Sequence, residues 1–313
     1  MNFFIRSFIL VIIIQLIGAV LSVGAQVSPG QPADLTVEQW VGHDFVFLAL
    51  PIDKQSEGYE IFLEDEATRG FQGDRSVRIP YSEYFAKQVT VTKVIPTGDS
   101  QFDYTVFMIE KETGKKLVGR TFYGQLDGLA LSEDRENARK LFVGKTIYAK
   151  RRTLNGVYDP ATKTVPLSVV VPLGVPMVVT DVWDGIQSQE PIWLVVTVNG
   201  QEAALPIAYS WTNQQANTWR SGRPWQRVLF IHDPQSVKDM SPEIWSLIEA
   251  GEIKEGMTKN QVRLAWGLPF RIDEAVSGDA GVSLWIYPTN RLKFMGDRLI
   301  SIENTEAADP VTP

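Results

Sequence analysis

Few side chains in this 313-residue chain could do chemistry, and their spacing excludes most of it. There is no cysteine, which removes thiol nucleophiles, disulfides and thiolate metal sites together. The two histidines, His43 and His232, stand apart, one before an apolar strand and the other before Asp233-Pro234. A serine triad would need one of them, yet no G-x-S-x-G elbow occurs, and neither phosphate-cradling glycine pattern is present. The acidic run Glu64-Asp65-Glu66 lacks the spacing of a calcium loop and reads as a solvated loop. A non-enzymatic protein without metal or cofactor is therefore the expectation. One segment has binding chemistry: Trp211–Trp225, W-T-N-Q-Q-A-N-T-W-R-S-G-R-P-W. Its residues Trp211, Trp219, Arg220, Arg223 and Trp225 are of types enriched at binding hot spots, and could stack on sugar rings or on a partner's aromatic side chains. The competing expectation is that these tryptophans pin a β module to the C-terminal module while the amides cap loop backbone.

Composition sets the frame for those residues. The chain is 44% apolar with 30 basic and 37 acidic residues, a net charge of −7 and no basic block beyond Lys150-Arg151-Arg152. Nucleic-acid binding is disfavoured, and those three bases read as a solvated strand edge. At the N-terminus Arg6 is the only charge before Asp34, Phe8 to Val20 is apolar, and Val23-Gly24-Ala25 supplies small residues. Residues 1–25 thus read as a signal peptide, too short for comfortable membrane spanning, with an uncleaved anchor as the alternative.

Between residues 34 and 228 the sequence reads as duplicated. Trp40-Val41-Gly42-His43-Asp44-Phe45-Val46 recurs as Phe142-Val143-Gly144-Lys145-Thr146-Ile147-Tyr148, and Val91-Thr92-Lys93-Val94 as Val179-Thr180-Asp181-Val182. Tyr104-Thr105-Val106 matches Leu194-Val195-Val196, and Thr121-Phe122-Tyr123 matches Ile207-Ala208-Tyr209. Extra residues in the first copy fall around Glu64–Arg75. Short β-branched and aromatic runs with frequent turns predict two tandem small β-barrel-like domains, 34–131 and 132–228. Ser132 is placed to cap a helix over Glu133–Leu141, and Asn155-Gly156 to form a type I′ hairpin turn.

From 229 to 304 the signals change. Ser241-Pro242-Glu243 opens a helix that Gly251 closes, and Thr258 with Gln261 opens a second. Three strands follow, Val282–Tyr287, Arg291–Met295 and Leu299–Glu303, then a frayed tail, 305–313. The fold class is mainly β with a C-terminal α+β module of two helices and three antiparallel strands. Ile248, Val262, Trp285, Ile286, Phe294 and Ile302 should fill its core.

Gly256-Met257-Thr258, Gln261-Val262, Gly267-Leu268-Pro269, Trp285-Ile286-Tyr287, Phe294 and Leu299-Ile300-Ser301-Ile302 together resemble the SmpA/OmlA (BamE-like) outer-membrane lipoprotein family. The resemblance covers residues 241–304 and implies a protein-binding module in the envelope. The family's lipid-bearing cysteine is absent. The opening strand of the second copy and its V-x-D-V-W loosely resemble tandem bacterial Src-homology-3-like domains. The expected function is an exported binding or scaffold protein of the cell envelope, periplasmic or outer-membrane-associated, with another envelope protein as partner. A cell-wall glycan binder is the first alternative and a hydrolase with converging carboxylates the second. Two acids facing one cleft would favour the hydrolase, and an exposed apolar patch on the C-terminal module the protein binder.

The protein isolated from its host is expected to begin near Gln26. N-terminal sequencing decides this, and an intact Met1 in the membrane fraction would overturn it.

Overall fold

The computed structural model describes residues 34–98, 102–157, 167–215, 222–237, 239–274 and 281–304. The expected signal peptide, the tail, and the residues Trp219 and Arg220 lie outside them. The fold is mainly β, with two curled half-barrel sheets in place of two small barrels.

The first lobe contains β1 (Asp44–Phe47), β2 (Tyr59–Leu63), α1 (Ala67–Phe71), β3 (Arg78–Ile79), α2 (Tyr81–Tyr84), β4 (Gln88–Pro96), β5 (Tyr104–Glu110), β6 (Lys116–Arg120) and β7 (Leu129–Leu131). Helix α3 (Ser132–Phe142) leads into the second lobe. That lobe contains β8 (Thr146–Ala149), β9 (Thr153–Asn155), β10 (Ser168–Val170), β11 (Pro176–Gln187), β12 (Glu190–Val198), β13 (Gln201–Ile207) and β14 (Leu229–Phe230). The strand orders are β3-β2-β6-β5-β4-β1-β7 and β10-β9-β13-β12-β11-β8-β14. Every strand of the second sheet takes the place of the strand seven earlier in the first.

The repeated sequence explains the repeated geometry. Gly42 and Gly144 adopt positive φ after a helical turn, and their N–H groups donate to Val91 and Val179. Both central strands then break register at a bulge, between Val91 and Lys93 and between Val179 and Asp181. The bulge residues Thr92 and Thr180 each donate to the opposite strand, to the carbonyls of Phe107 and Val195 at 3.2 Å. Such bulges increase local twist and help the sheets curl.

Several expectations shift by a residue or two. Val106 pairs with Val94 and Leu194 with Val182, so Leu194 is the counterpart of Val106, two positions from the sequence match. Two residues are one strand period, so inward and outward faces are conserved and the pattern conceals the slip. The hairpin that follows also differs, being the tight turn Asn199-Gly200 in the second lobe and the longer Lys111–Gly114 in the first. Asn199-Gly200, itself a hairpin signal in the sequence, has φ 49° and 76°, the type I′ geometry that the sequence predicts at Asn155-Gly156. Asn155 ends β9 and pairs with Ser168 of β10. The first lobe's longest insertion is 48–58, between β1 and β2, where the second has only 150–152, rather than around Glu64–Arg75. Ser132 begins α3 without capping it: Leu131 occupies the cap position and the Ser132 hydroxyl is buried without a partner among the described residues.

Beyond β14, Ser241 caps α4 (Pro242–Ala250), accepting from the Ile244 N–H at 3.2 Å, and Gly251 closes it at φ 73°. Thr258 and Gln261 form the capping box of α5 (Lys259–Trp266), at 3.1 and 2.8 Å. The helices share an apolar core with an antiparallel sheet of β15 (Arg271–Glu274), β16 (Val282–Ile286), β17 (Asn290–Met295) and β18 (Arg298–Asn304). The sheet has four strands where three were expected, because Arg271–Glu274 pairs along β16. Ile248, Val262, Trp285 and Phe294 are buried in that core. Ile302 is half-buried against it, and Ile286 falls on the sheet's other face by strand alternation.

This segment is stitched to the second lobe. Leu173 of that lobe sits in its core, and Arg152 donates to the carbonyls of Ile248 and Glu249 at the end of α4. A cation there satisfies carbonyls that the helix leaves unpaired. The bases expected at a solvated edge are likewise engaged: Lys150 lies 4.3 Å from the centre of the Phe230 ring and Arg151 pairs with Glu190. Gly174 packs edge-on against Trp245, with φ 70° and only 2.6 Å between an added Cβ and the indole.

Gly174→Ala should therefore cost about 2–5 kcal/mol, the sum of left-handed strain and overpacking. Gly200→Ala, with open space around it, should cost only the strain, about 1–2 kcal/mol. Denaturant melts of the two variants test the difference, and equal losses would refute the packing argument.

Candidate functional site

Within the Trp211–Trp225 segment, Trp211 to Gln214, Pro224 and Trp225 are buried, whereas Gln215 and Gly222 are exposed. Trp211 and Trp225 are each 7% exposed. The Trp225 ring packs edge-on against Phe142, with centroids 5.4 Å apart, in the second lobe's core. Trp211 donates from Nε1 to the Gly222 carbonyl at 2.8 Å and carries the Arg227 guanidinium 4.5 Å above its ring. Arg223 pairs with Asp34 at 3.0 Å. Trp211 and Trp225 thus lie within the protein and not on a stacking surface. The amides do cap loop backbone, but between the two β lobes rather than against the C-terminal helices. Asn213 donates from Nδ2 to Leu126 and Leu129 at 2.9 and 2.7 Å, and its Oδ1 accepts from the Leu126 N–H at 2.7 Å. Gln214 donates to Ser188, whose hydroxyl accepts from Gly128.

The same junction buries an acid. Asp134, in the first turn of α3, is 3% exposed and accepts from the Ser210 hydroxyl at 2.6 Å. Its other oxygen is buried without a partner among the described residues. Burial pushes the carboxyl up to about 7, with Asp34 and Glu133 adding like charge against the Ser210 hydrogen bonds.

That clamp positions a cleft on the outer face of the first sheet. Arg120 ends β6, and continuing the Ile61–Gly119 register places Glu60 opposite it. Glu60 is instead held by Arg78 at 2.8 Å, which also holds Glu57 at 3.1 Å. Arg120 lies over aromatic rings, its guanidinium carbon 3.8 Å from the centre of Phe71 and 5.6 Å from that of Phe102. It makes no hydrogen bond or ion pair among the described residues, and its Nε is buried. Glu60 and Asp127 line two cavities. One, of about 550 Å³, lies between the first lobe's extra loop and residues 186–189. The other, of about 390 Å³, is walled by Phe62, Phe71, Phe102, Arg120 and Phe122. Asp127 is raised above the ordinary carboxylate range, chiefly by desolvation in the cleft and secondarily by Glu60. Gln125 ties this wall to the clamp through Asn213 and Gln189.

The remaining expected residues are dispersed. His43 lies 3.5 Å from Glu133, while Glu64 and Glu66 pair with Lys116 and Arg69. Among the described residues no three His, Asp or Glu side chains are grouped to hold a metal, and no helix is long and apolar enough to cross a membrane. Against known proteins, the chain matches no family model, no curated sequence and no solved structure. Sequence reasoning passed over Glu60, Arg120 and Asp127, which come from separate segments and form no motif.

Asp134 gives the junction a pH signature. A carboxyl raised on folding stabilises fully below the ordinary carboxylate range, and that contribution is lost as pH rises through about 7. Wild-type stability should fall over this window by up to about 4 kcal/mol relative to Asp134→Asn, which keeps a neutral acceptor for Ser210. Denaturant midpoints between pH 4 and 8 test this, and parallel pH profiles for the two proteins would contradict it.

Proposed function

We propose that the protein is an exported, non-enzymatic binding or scaffold protein of the bacterial cell envelope, with outer-membrane assembly as its setting. The observation that carries this reading is the segment Gly267-Leu268-Pro269-Phe270. Its backbone is fixed at both ends: the Gly267 N–H donates to Arg263, the Tyr287 hydroxyl donates to the Gly267 carbonyl at 2.9 Å, and the Phe270 N–H donates to Ile286 at 2.8 Å. Yet Leu268 is 62% and Phe270 84% exposed. Apolar side chains presented from an ordered backbone favour a protein partner over a sugar, which needs polar groups beside its stacking rings. The order of two capped helices and a sheet supports reading residues 241–304 as an α+β module similar to the SmpA/OmlA family.

A hydrolase is the second reading, favoured by Glu60 and Asp127 lining the same cleft in unequal environments. One acid pairs with Arg78 at 2.8 Å and the other has no such partner and is raised by desolvation, an inequality of the kind that acid–base cleavage uses. Release of soluble fragments from cell-wall glycan by the wild type, lost in Asp127→Asn, would establish it.

For the binding reading, Leu268→Ser with Phe270→Ser should leave the melting temperature near wild type and weaken capture of the same envelope protein about thirtyfold. Quantitative cross-linking to a partner identified with the wild type provides the measurement. Undiminished capture would remove this segment from the interface.

A further inference from the structure

The smaller cavity beside β6 carries two unpartnered charges of opposite sign. Arg120 projects from the end of the strand into a slot formed by Phe71, Phe102 and Phe122. A guanidinium is a planar fork of five N–H donors, and stacking on a ring face satisfies none of them. The acid nearest in register, Glu60, is drawn away by Arg78, so the fork stays open among the described residues. Asp127 lines the same cavity, and its carboxylate likewise makes no hydrogen bond or ion pair among the described residues. Its separation from Arg120 exceeds the 4.0 Å of an ion pair, since the two form none. The charges do not neutralise each other across the cavity, and the half-buried Arg120, with its Nε buried, is left without a protein acceptor among the described residues. A simple anion would answer Arg120 but meet Glu60 and Asp127. A simple cation would answer the acids but meet Arg120.

We propose that this cavity binds a small zwitterion, an α-amino acid or short peptide with an apolar side chain. Its carboxylate is held by Arg120, its ammonium group by Asp127, and its side chain lies among Phe71, Phe102 and Phe122. The volume, about 390 Å³, is in the range of small-ligand sites. Bidentate guanidinium–carboxylate pairing adds direction to charge. The desolvation that raises Asp127 also strengthens its attraction for an ammonium group. This site is separate from the Leu268–Phe270 segment, so either assignment can fail without the other.

Isothermal titration of the full chain with phenylalanine and with glycyl-phenylalanine tests the proposal and separates the free amino acid from the peptide. Saturable binding of at least one is expected. 3-Phenylpropionate, which lacks the ammonium group, and 2-phenylethylamine, which lacks the carboxylate, should each bind at least about tenfold more weakly. Arg120→Gln should reduce binding by a similar factor. Asp127→Asn, at a solvent-accessible position, provides the same reading should the arginine variant not fold. No heat from either zwitterion at millimolar concentration would overturn the proposal. Equal binding of 3-phenylpropionate or 2-phenylethylamine, or undiminished binding by Asp127→Asn, would also overturn it.

Discussion

Asn213 holds the two β lobes together by doing for the loop at Leu126–Leu129 what a neighbouring strand would do. Its side-chain amide donates twice and accepts once, satisfying backbone groups that would otherwise be stranded at a buried junction. Around it Ser210, Thr212, Gln214, Ser188 and Asp134 continue the same work. A buried polar network of this kind is stabilising when its members are satisfied, and it fixes one relative placement of the parts it joins. Asp134 is its cost, a buried acid with one oxygen left without a protein partner among the described residues.

The cleft depends on that placement. One of its walls is the first lobe's extra loop and another is the turn at residues 186–189 of the second, so neither lobe alone encloses it. Gln125 and Gln189 join the clamp to the cleft directly. The duplication is consequently asymmetric in use. Both copies spend the same glycine, the same bulge and the same strand order on building a curled sheet. The first copy's insertion then converts a surface into a recess, while the second copy's continuation after β13 supplies the clamp, and its own loops, through Arg152 and Leu173, support the two final helices.

Much of this is legible in the sequence. Local signals set local structure: Gly42 and Gly144 mark the same turn, Thr258 and Gln261 close a capping box, and Ser241 and Gly251 bound a helix. The strand count of the C-terminal sheet was not legible, because Arg271–Glu274 carries no alternating pattern and becomes a strand only by pairing with β16. Asn155-Gly156 shows the same limit from the other side. A dipeptide favours a turn, but the ladder to Ser168 outweighs it and keeps Asn155 in β9.

By itself the sequence determined what nearest neighbours along the chain can determine: the duplication, the turn glycines, the helix caps, the mainly β class and the absence of thiol chemistry. Tertiary structure alone decided which residues meet. Trp211 and Trp225 have side chains suited to a binding surface, but exposure is a property of packing, and here both are buried, Trp225 in the second lobe's core and Trp211 against Gly222 and Arg227. Glu60, Arg120 and Asp127 have no shared spacing, since a cleft is formed by strands that are adjacent in the sheet and distant in the chain. Even the freedom of Arg120 depends on a third residue, Arg78, which lies far along the chain and claims the acid that the register would have given it.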